Sequence, residues 1–81
     1  MYHVYILLDA NGKKYIGYSN DLKRRLWEHQ NGKSFYTRRL EDVKIYYYES
    51  YSNKDLARAR EKNLKKYGSS YHGLLKRLKL K

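Results

Sequence analysis

The chain has 81 residues, none of them cysteine, and its 19 Lys and Arg against 8 Asp and Glu give a net charge of +11. The lack of cysteine excludes a disulfide framework and a thiolate metal site, and no segment approaches the roughly 20 apolar residues of a membrane span. So large an excess of positive charge favours a polyanionic partner, above all nucleic acid, with solubility alone as the other explanation.

We expect one domain over residues 1–81, because a chain of this length forms a single small core. The N-terminal "MYHVYILL" lacks the charged start and small-residue cleavage site of a signal peptide. We therefore expect a cytoplasmic protein without a membrane partner.

The N-terminal third predicts an antiparallel β-hairpin. Two β-prone runs, "YHVYILL" (2–8) and "KKYIGYS" (13–19), flank an Asn11-Gly12 pair. Both residues of that pair tolerate positive φ, which a tight hairpin turn requires. Alternation divides the first strand into two faces, with His3, Tyr5 and Leu7 on one and Tyr2, Val4, Ile6 and Leu8 on the other.

A helix follows within "SNDLKRRLWEHQNG", residues 19–32. Ser19 or Asn20 can cap its start, and Gly32 lies where a helix stops. Its apolar residues Leu22, Leu26 and Trp27 are expected to face inward. The next ten residues, 33–42, show no clean period and read as a loop.

The second half predicts one strand and two helices. The strand is "VKIYYYESY" (43–51), and Ser52 or Asn53 then caps a helix that ends near Gly68. A basic amphipathic helix, "SYHGLLKRLKLK" (70–81), follows, with Leu74, Leu75 and Leu78 on its buried side. The predicted fold class is α+β, a three-stranded antiparallel sheet flanked by helices in the order β-β-α-β-α-α.

Four side chains could serve chemistry on a phosphate. Arg25 and His29 lie four residues apart and therefore share a helix face. Tyr5 and Tyr15 lie on adjacent strands of the hairpin, and the missing side chain of Gly17 allows backbone or ligand to approach closely. Phosphodiester cleavage needs a cation on the phosphate and a base for the attacking water, and the planar, permanently charged guanidinium suits the first task.

A carboxylate would have to come from the second long helix. Glu61 lies four residues after Ala57 and three before Leu64, so it borders the buried stripe of that helix. It stands within a basic stretch. The sequence leaves open whether Glu61 is an ion-pair partner or a ligand of a single metal ion.

Three separated segments carry a resemblance to a known family. His3-Val4-Tyr5 is a degenerate first signature, and Tyr15-Ile16-Gly17 is an intact second one. Arg25 falls ten residues after the tyrosine of the second signature, with His29 one turn later, and "AREKNLKKYG" (59–68) resembles the family's Glu-bearing helix. The chain resembles the GIY-YIG nuclease superfamily, most closely its small single-domain bacterial members, and is similar to the nuclease domain of the bacterial excision-repair incision subunit.

The resemblance implies a metal-dependent endonuclease that hydrolyses phosphodiester bonds in DNA, with structured or repair-related DNA as a candidate substrate. It implies one divalent cation, Mg²⁺ or Mn²⁺, held by Glu61, and Arg25 in contact with the scissile phosphate. Tyr5 and Tyr15 would line the attacking side. His29 is the second candidate for the proton acceptor, because its ordinary pKa lies near neutral pH.

Several positions depart from the family pattern. His3 replaces a glycine, Tyr18 stands where some branches carry lysine, and the asparagine beyond the Glu helix has no counterpart. These departures favour the alternative of a catalytically weak or inactive nucleic-acid-binding module; a ribosome- or RNA-associated structural protein is a third hypothesis.

We expect a monomer, with a dimer on DNA as the alternative, and RNA is not excluded as a ligand. The candidate nucleic-acid contacts are Gly17, Tyr18, Lys23, Arg24, Arg38 and Arg39.

Overall fold

A three-stranded antiparallel sheet forms the centre of the computed structural model, which describes residues 1–32, 42–66 and 68–78. The strands are β1 (Tyr2–Leu8), β2 (Lys14–Ser19) and β3 (Lys44–Tyr51), in the spatial order β2-β1-β3. The helices are α1 (Leu22–Gln30), α2 (Lys54–Lys66) and α3 (Gly68–Arg77). The predicted α+β class and the element order β-β-α-β-α-α are confirmed. No helix within the described ranges has the length and apolar character to cross a membrane.

The turn between β1 and β2 sets the register of the hairpin. Asp9 Oδ1 accepts hydrogen bonds from the backbone N–H groups of Asn11 and Lys13, at 2.9 and 2.7 Å, and Gly12 has φ of +82°. In the resulting register, Tyr5 lies opposite Gly17 and Leu7 lies opposite Tyr15. Tyr5 and Tyr15 therefore lie on the same face of the sheet, on neighbouring strands.

Helices α2 and α3 cover the opposite face. The core there consists of Val4, Ile6, Ile16, Ala57, Leu64, Leu74 and Leu75. The alternation of β1 accounts for this arrangement, because Val4 and Ile6 point to one face while Tyr5 points to the other. The prediction that Leu74 and Leu75 face inward is confirmed, and Leu78 is partly buried.

The short helix α1 differs from expectation at two points. Its N-cap is Asp21, whose Oδ1 accepts from the Arg24 N–H at 3.1 Å, and neither Ser19 nor Asn20 takes that position. The expectation that Trp27 faces inward is wrong, because its side chain is 54% exposed. The buried side of α1 runs through Leu22, Leu26 and His29, at helical spacings of four and three, and Trp27 lies off this line. For α2, Asn53 is the cap, since its Oδ1 accepts from the first turn of that helix.

One ion pair, which the sequence did not reveal, ties α2 to the sheet. Arg60 of α2 forms a bidentate pair with Glu49 of β3, with Nε to Oε1 at 2.9 Å and Nη2 to Oε2 at 3.1 Å. The hydroxyls of Tyr47 and Tyr51 donate to the same carboxylate at 2.7 and 2.6 Å. Burial acts to raise the pKa of Glu49, but the hydrogen bonds from Arg60, Tyr51 and Tyr47 together lower it. The rotation of α2 about its axis is thereby fixed.

Candidate functional site

A hydrogen-bonded group of three side chains lies where α1 meets the sheet. The Tyr5 hydroxyl, from the buried strand β1, lies 2.9 Å from His29 Nε2 and is also hydrogen-bonded to the Arg25 side chain. A guanidinium only donates, so the Tyr5 oxygen is the acceptor in its contact with Arg25. In the hydrogen bond between Tyr5 and His29, the tautomer of the imidazole determines which partner donates.

Arg25 has a second partner on its own helix. Its Nη1 donates to Glu28 Oε1 at 2.9 Å, and this hydrogen bond raises the pKa of Arg25, which keeps it charged. The Arg25 side chain is 30% exposed. It is therefore held at one end by Tyr5 and Glu28 while part of the guanidinium surface remains open to a ligand.

Gly17 explains how the buried phenol fits against the sheet. A Cβ built at this position overlaps the ring and hydroxyl of Tyr5 more closely than real Cβ contacts ever do. Tyr5 itself therefore fills the space that the missing side chain of Gly17 leaves. The role of Gly17 as a nucleic-acid contact stays a prediction, but its missing side chain has a structural reason.

Tyr15 joins the group through His29. The Tyr15 and His29 ring centroids lie 5.5 Å apart, and those of Tyr5 and His29 lie 5.8 Å apart, both in edge-to-face arrangements. Lys65 Nζ of α2 lies 5.6 Å from the Tyr15 ring centroid. The two tyrosines of the hairpin thus meet at one imidazole, and α2 approaches from the β2 side.

Glu61, on α2, lies close enough to this group for its charge to act on Tyr5. Its Oε2 lies 3.2 Å from Lys65 Nζ, and its side chain is 20% exposed. The charge of Glu61 acts to raise the pKa of Tyr5, whereas Arg25 lowers it by hydrogen bond and charge. Arg25 lines a pocket of about 440 Å³ and Glu61 lines one of about 670 Å³, and the two pockets share Arg58. Arg25 and Glu61 therefore open onto adjoining surfaces.

Burial shifts the pKa values of Tyr5 and His29 in opposite directions. Burial raises the pKa of Tyr5 to about 12, despite the opposing effect of Arg25. Burial, and then the positive charge of Arg25, lower the pKa of His29 to about 4. At neutral pH Tyr5 is consequently a protonated phenol, and His29 is a neutral imidazole.

The shifted pKa of His29 predicts a dependence of stability on pH. Between its ordinary pKa of 6.5 and about 4, His29 binds a proton in the unfolded chain but not in the folded one. The free energy of unfolding should therefore fall as the pH is lowered through that window. We expect a loss of about 1 to 2 kcal/mol, less than the full shift implies because water screens charge near the surface.

Urea unfolding at a series of pH values measures this loss. A His29→Gln variant should lack this component of the pH dependence, and a variant of the exposed His72, His72→Gln, should retain it. A His29→Gln protein with the same pH profile as the unmodified chain would contradict the buried, neutral imidazole.

Glu61 offers limited means of holding a metal ion. Among residues 1–32, 42–66 and 68–78, no three or more His, Cys, Asp or Glu side chains form a group that could bind one. Mg²⁺, however, commonly keeps several waters and binds through one or two carboxylates together with substrate phosphates. A single Glu61 fits that donor set, and its partner Lys65, 48% exposed, has room to move away.

The other predicted nucleic-acid contacts are distributed around this group. Tyr18 and Arg24 line the 440 Å³ pocket beside Arg25, and Lys23 is exposed on α1. Arg38 and Arg39 lie outside the described residues. Arg58 was missed, although its spacing of four from Lys54 and Lys62 is a signal that the sequence contains.

Comparison with known proteins identifies the family of this chain. A family model described as the GIY-YIG catalytic domain matches residues 1–74, which include both tyrosines, Arg25, His29 and Glu61. The chain belongs to the GIY-YIG family. This nuclease-type family accounts for the order of the motifs, and the resemblance noted in the sequence is confirmed.

The relatives within the GIY-YIG family are small proteins as well. A UPF0213 protein of Bacillus pumilus (strain SAFR-032) is 40% identical over 65 residues, which cover 79% of this chain and 66% of that protein. A UPF0213 protein of Halobacterium salinarum is 38% identical over 66 residues, which cover 80% of this chain and 86% of that protein. The solution NMR structure of the UPF0213 protein BH0048 from Bacillus halodurans is 31% identical, with a TM-score of 0.59 over 98% of this chain and 86% of that one. This chain thus spans about two thirds of the Bacillus pumilus relative.

Proposed function

We propose that this protein is a metal-dependent endonuclease that hydrolyses phosphodiester bonds in DNA, with structured or repair-related DNA as its candidate substrate. One observation carries the proposal: Arg25 and Glu61, from different helices, act on the same buried hydroxyl of Tyr5 and open onto adjoining pockets. These positions support a site with a cation for the phosphate and a carboxylate on adjoining surfaces. We propose a cytoplasmic location for the same activity.

Arg25 is the phosphate-binding residue in this proposal. Its guanidinium is oriented by Glu28 and Tyr5 before any substrate binds, so little reorganisation is needed when charge develops on the phosphoryl oxygens. The planar fork can donate two hydrogen bonds to one phosphate. Arg25 would thus hold the scissile phosphate and stabilise the transition state.

The two tyrosines take different parts. Tyr5 exposes only 1% of its surface, so it orients Arg25 and His29 and does not meet the attacking water. Tyr15 is partly exposed beside the same imidazole, and we assign it the first contact with the attacking water and its proton. His29 is the second candidate acceptor, because it is neutral at any pH well above 4.

Glu61 would hold one Mg²⁺ or Mn²⁺ ion. When bound, such an ion supplies Lewis-acid polarisation of the phosphate and compensates the charge of the leaving oxygen. The chain's own contribution is to keep the Glu61 carboxylate on the surface that Arg25 also faces. Lys65, which neutralises this carboxylate, would have to move away for the ion to bind.

Incubation with supercoiled plasmid and with branched DNA tests the proposal. The unmodified protein should cleave in the presence of Mg²⁺ or Mn²⁺, and chelation with EDTA should stop the reaction. Glu61→Gln should lower the rate by a factor of about 10² or more, because it removes the anionic ligand but keeps the shape. Asp55→Asn removes the same charge from the exposed first turn of α2 and should leave the rate unchanged. Equal rates for Glu61→Gln and the unmodified protein would contradict the proposed site.

A second candidate is a binding module of the same fold with weak or absent cleavage. The ion pair between Glu61 and Lys65, at 3.2 Å, favours it, because a neutralised carboxylate is a poorer metal ligand. This candidate predicts DNA binding that does not require Mg²⁺, with the substrate intact both in EDTA and in Mg²⁺. The plasmid experiment therefore separates the two functions.

A further inference from the structure

Helix α2 carries a row of cationic side chains along its outer surface. Lys54, Arg58, Lys62 and Lys66 recur every four residues, and all four are exposed. Residues four apart lie on one helix face, and at a rise of 1.5 Å per residue the row is about 18 Å long. None of these side chains belongs to the group around Tyr5.

The row borders the two pockets that adjoin the candidate site. Arg58, Lys62 and Lys66 line the pocket of about 670 Å³ that also contains Glu61. Lys54 and Arg58 line the pocket of about 440 Å³ that also contains Arg24 and Arg25. Because Arg58 lines both, the pockets form one continuous surface, which we call the α2 groove. The groove therefore leads directly to the proposed phosphate-binding arginine.

The acidic side chains within the α2 groove do not cancel its charge. Among the residues that the structure describes, two carboxylates line it, and each is paired with a cation: Glu28 with Arg25 at 2.9 Å and Glu61 with Lys65 at 3.2 Å. The row on α2 adds to these pairs and leaves the surface strongly positive. A groove of this kind concentrates polyanions near the site.

Arg58 is held in a defined place. Its guanidinium carbon lies 5.6 Å from the ring centroid of Tyr18, and the Tyr18 ring stacks on Tyr2 at 6.4 Å with an interplanar angle of 4°. A guanidinium supported on an aromatic face loses less freedom when it binds phosphate than a freely rotating one. This support distinguishes Arg58 from an ordinary solvated helix cation.

We propose that the α2 groove binds the sugar-phosphate backbone of the nucleic-acid strand on one side of the scissile phosphate, with Arg58 as its central contact. This inference rests on the proposed function, because it names how the substrate of that same site is held. Lysine and arginine contacts to phosphate fix position and carry no base information. The groove therefore gives affinity and orientation for DNA without sequence specificity.

Two triple variants with the same change of charge test the groove. The groove variant combines Arg58→Gln, Lys62→Gln and Lys66→Gln, and the control combines Lys13→Gln, Lys44→Gln and Lys76→Gln at exposed positions that line neither pocket. Binding of an end-labelled single-stranded oligonucleotide is followed by fluorescence anisotropy in EDTA, over a range of KCl concentrations. Circular dichroism verifies that both variants are folded.

The groove variant should bind about tenfold to a hundredfold more weakly than the control at 0.1 M salt. Its slope of log K against log salt should be smaller by about two, since three lost single-strand phosphate contacts each contribute about 0.7. Arg58→Lys, which keeps the charge but loses the planar stacked group, should fall between the groove variant and the unmodified protein. Equal losses of affinity and slope in both triple variants would overturn the inference, because net charge alone would then explain binding.

Cleavage assays on the same proteins separate this inference from the proposed function. If the unmodified protein binds but does not cleave in Mg²⁺ or Mn²⁺, the nuclease proposal fails while the difference in slope still supports the groove. If it cleaves and the two triple variants bind alike, the nuclease proposal stands and the groove is wrong.

Discussion

Replacing Arg25 by alanine is expected to lower the rate of phosphodiester cleavage by a factor of about 10² to 10³. That is the typical cost of removing one preorganised donor from a developing oxyanion. We expect a loss at the upper end of this range or beyond it, because Arg25 also donates to Tyr5 and lowers the pKa of His29. One substitution thus removes the phosphate contact and disturbs both Tyr5, which orients the group, and His29, the second candidate proton acceptor.

Arg25→Lys serves as the matched variant for charge. Lysine keeps a positive charge but presents a single ammonium group in place of the planar fork, so an intermediate rate is expected. Single-turnover cleavage of a labelled branched DNA in Mn²⁺ measures the rates. A rate for Arg25→Ala within a few fold of the unmodified protein would exclude Arg25 from the transition state.

The Arg25→Ala substitution should also change the pKa of His29, which NMR can measure. Since the charge of Arg25 is the second cause of the low pKa of His29, Arg25→Ala should move that pKa upward from about 4. A titration of the His29 ring protons by NMR measures the change. An unmoved His29 pKa would mean that burial alone sets it.

The parts of the site that sequence could predict follow from local periodicity. Arg25 and His29 share a face because a helix repeats every 3.6 residues, and Tyr5 and Tyr15 share a face because strand side chains alternate. The turn predicted at Asn11-Gly12 sets the register that brings the two tyrosines together, although only Gly12 of that pair has positive φ. Each of these relations involves residues near one another in the chain, where geometry follows from residue type.

Other features of the fold and of the site were beyond that reasoning. The sequence left Glu61 open between ion pair and metal ligand, and the structure shows an ion pair with Lys65 that lies beside Tyr15. The pKa values of Tyr5 and His29 depend on burial by the whole fold, which no motif encodes. Trp27 was assigned to the interior by its hydrophobicity, although its angle on the short helix α1 places it outside.

Glu49 shows the same limit most clearly. Strand alternation places Tyr47, Glu49 and Tyr51 on one face of β3, which is visible in the sequence. What is not visible is that Arg60, on the neighbouring helix, meets this carboxylate in a bidentate pair. The residue after Arg60 is Glu61. The Glu49 pair therefore determines which direction the candidate metal ligand faces.

Glu49→Gln is expected to lower the free energy of unfolding by about 2 to 4 kcal/mol, because it leaves the Arg60 charge without its counterion and disturbs two tyrosine hydrogen bonds. The pair is well covered, with side chains only 26% and 16% exposed. Glu28→Gln is the matched control, since it breaks the surface pair with Arg25 on α1 and should change stability far less. Urea unfolding at pH 7 compares the two.

The pH dependence of the Glu49→Gln effect provides a second check with a defined sign. The pKa of Glu49 is lowered in the folded protein, so its contribution to stability is present above the ordinary pKa of 4.5 and is lost as the pH falls through the folded value. The difference in stability between the unmodified protein and Glu49→Gln should therefore shrink in acid. A difference that stays constant from pH 7 down to about 3 would show that the shape of the Glu49 side chain, and not its charge, holds α2 against the sheet. The orientation of Glu61 would then need another cause.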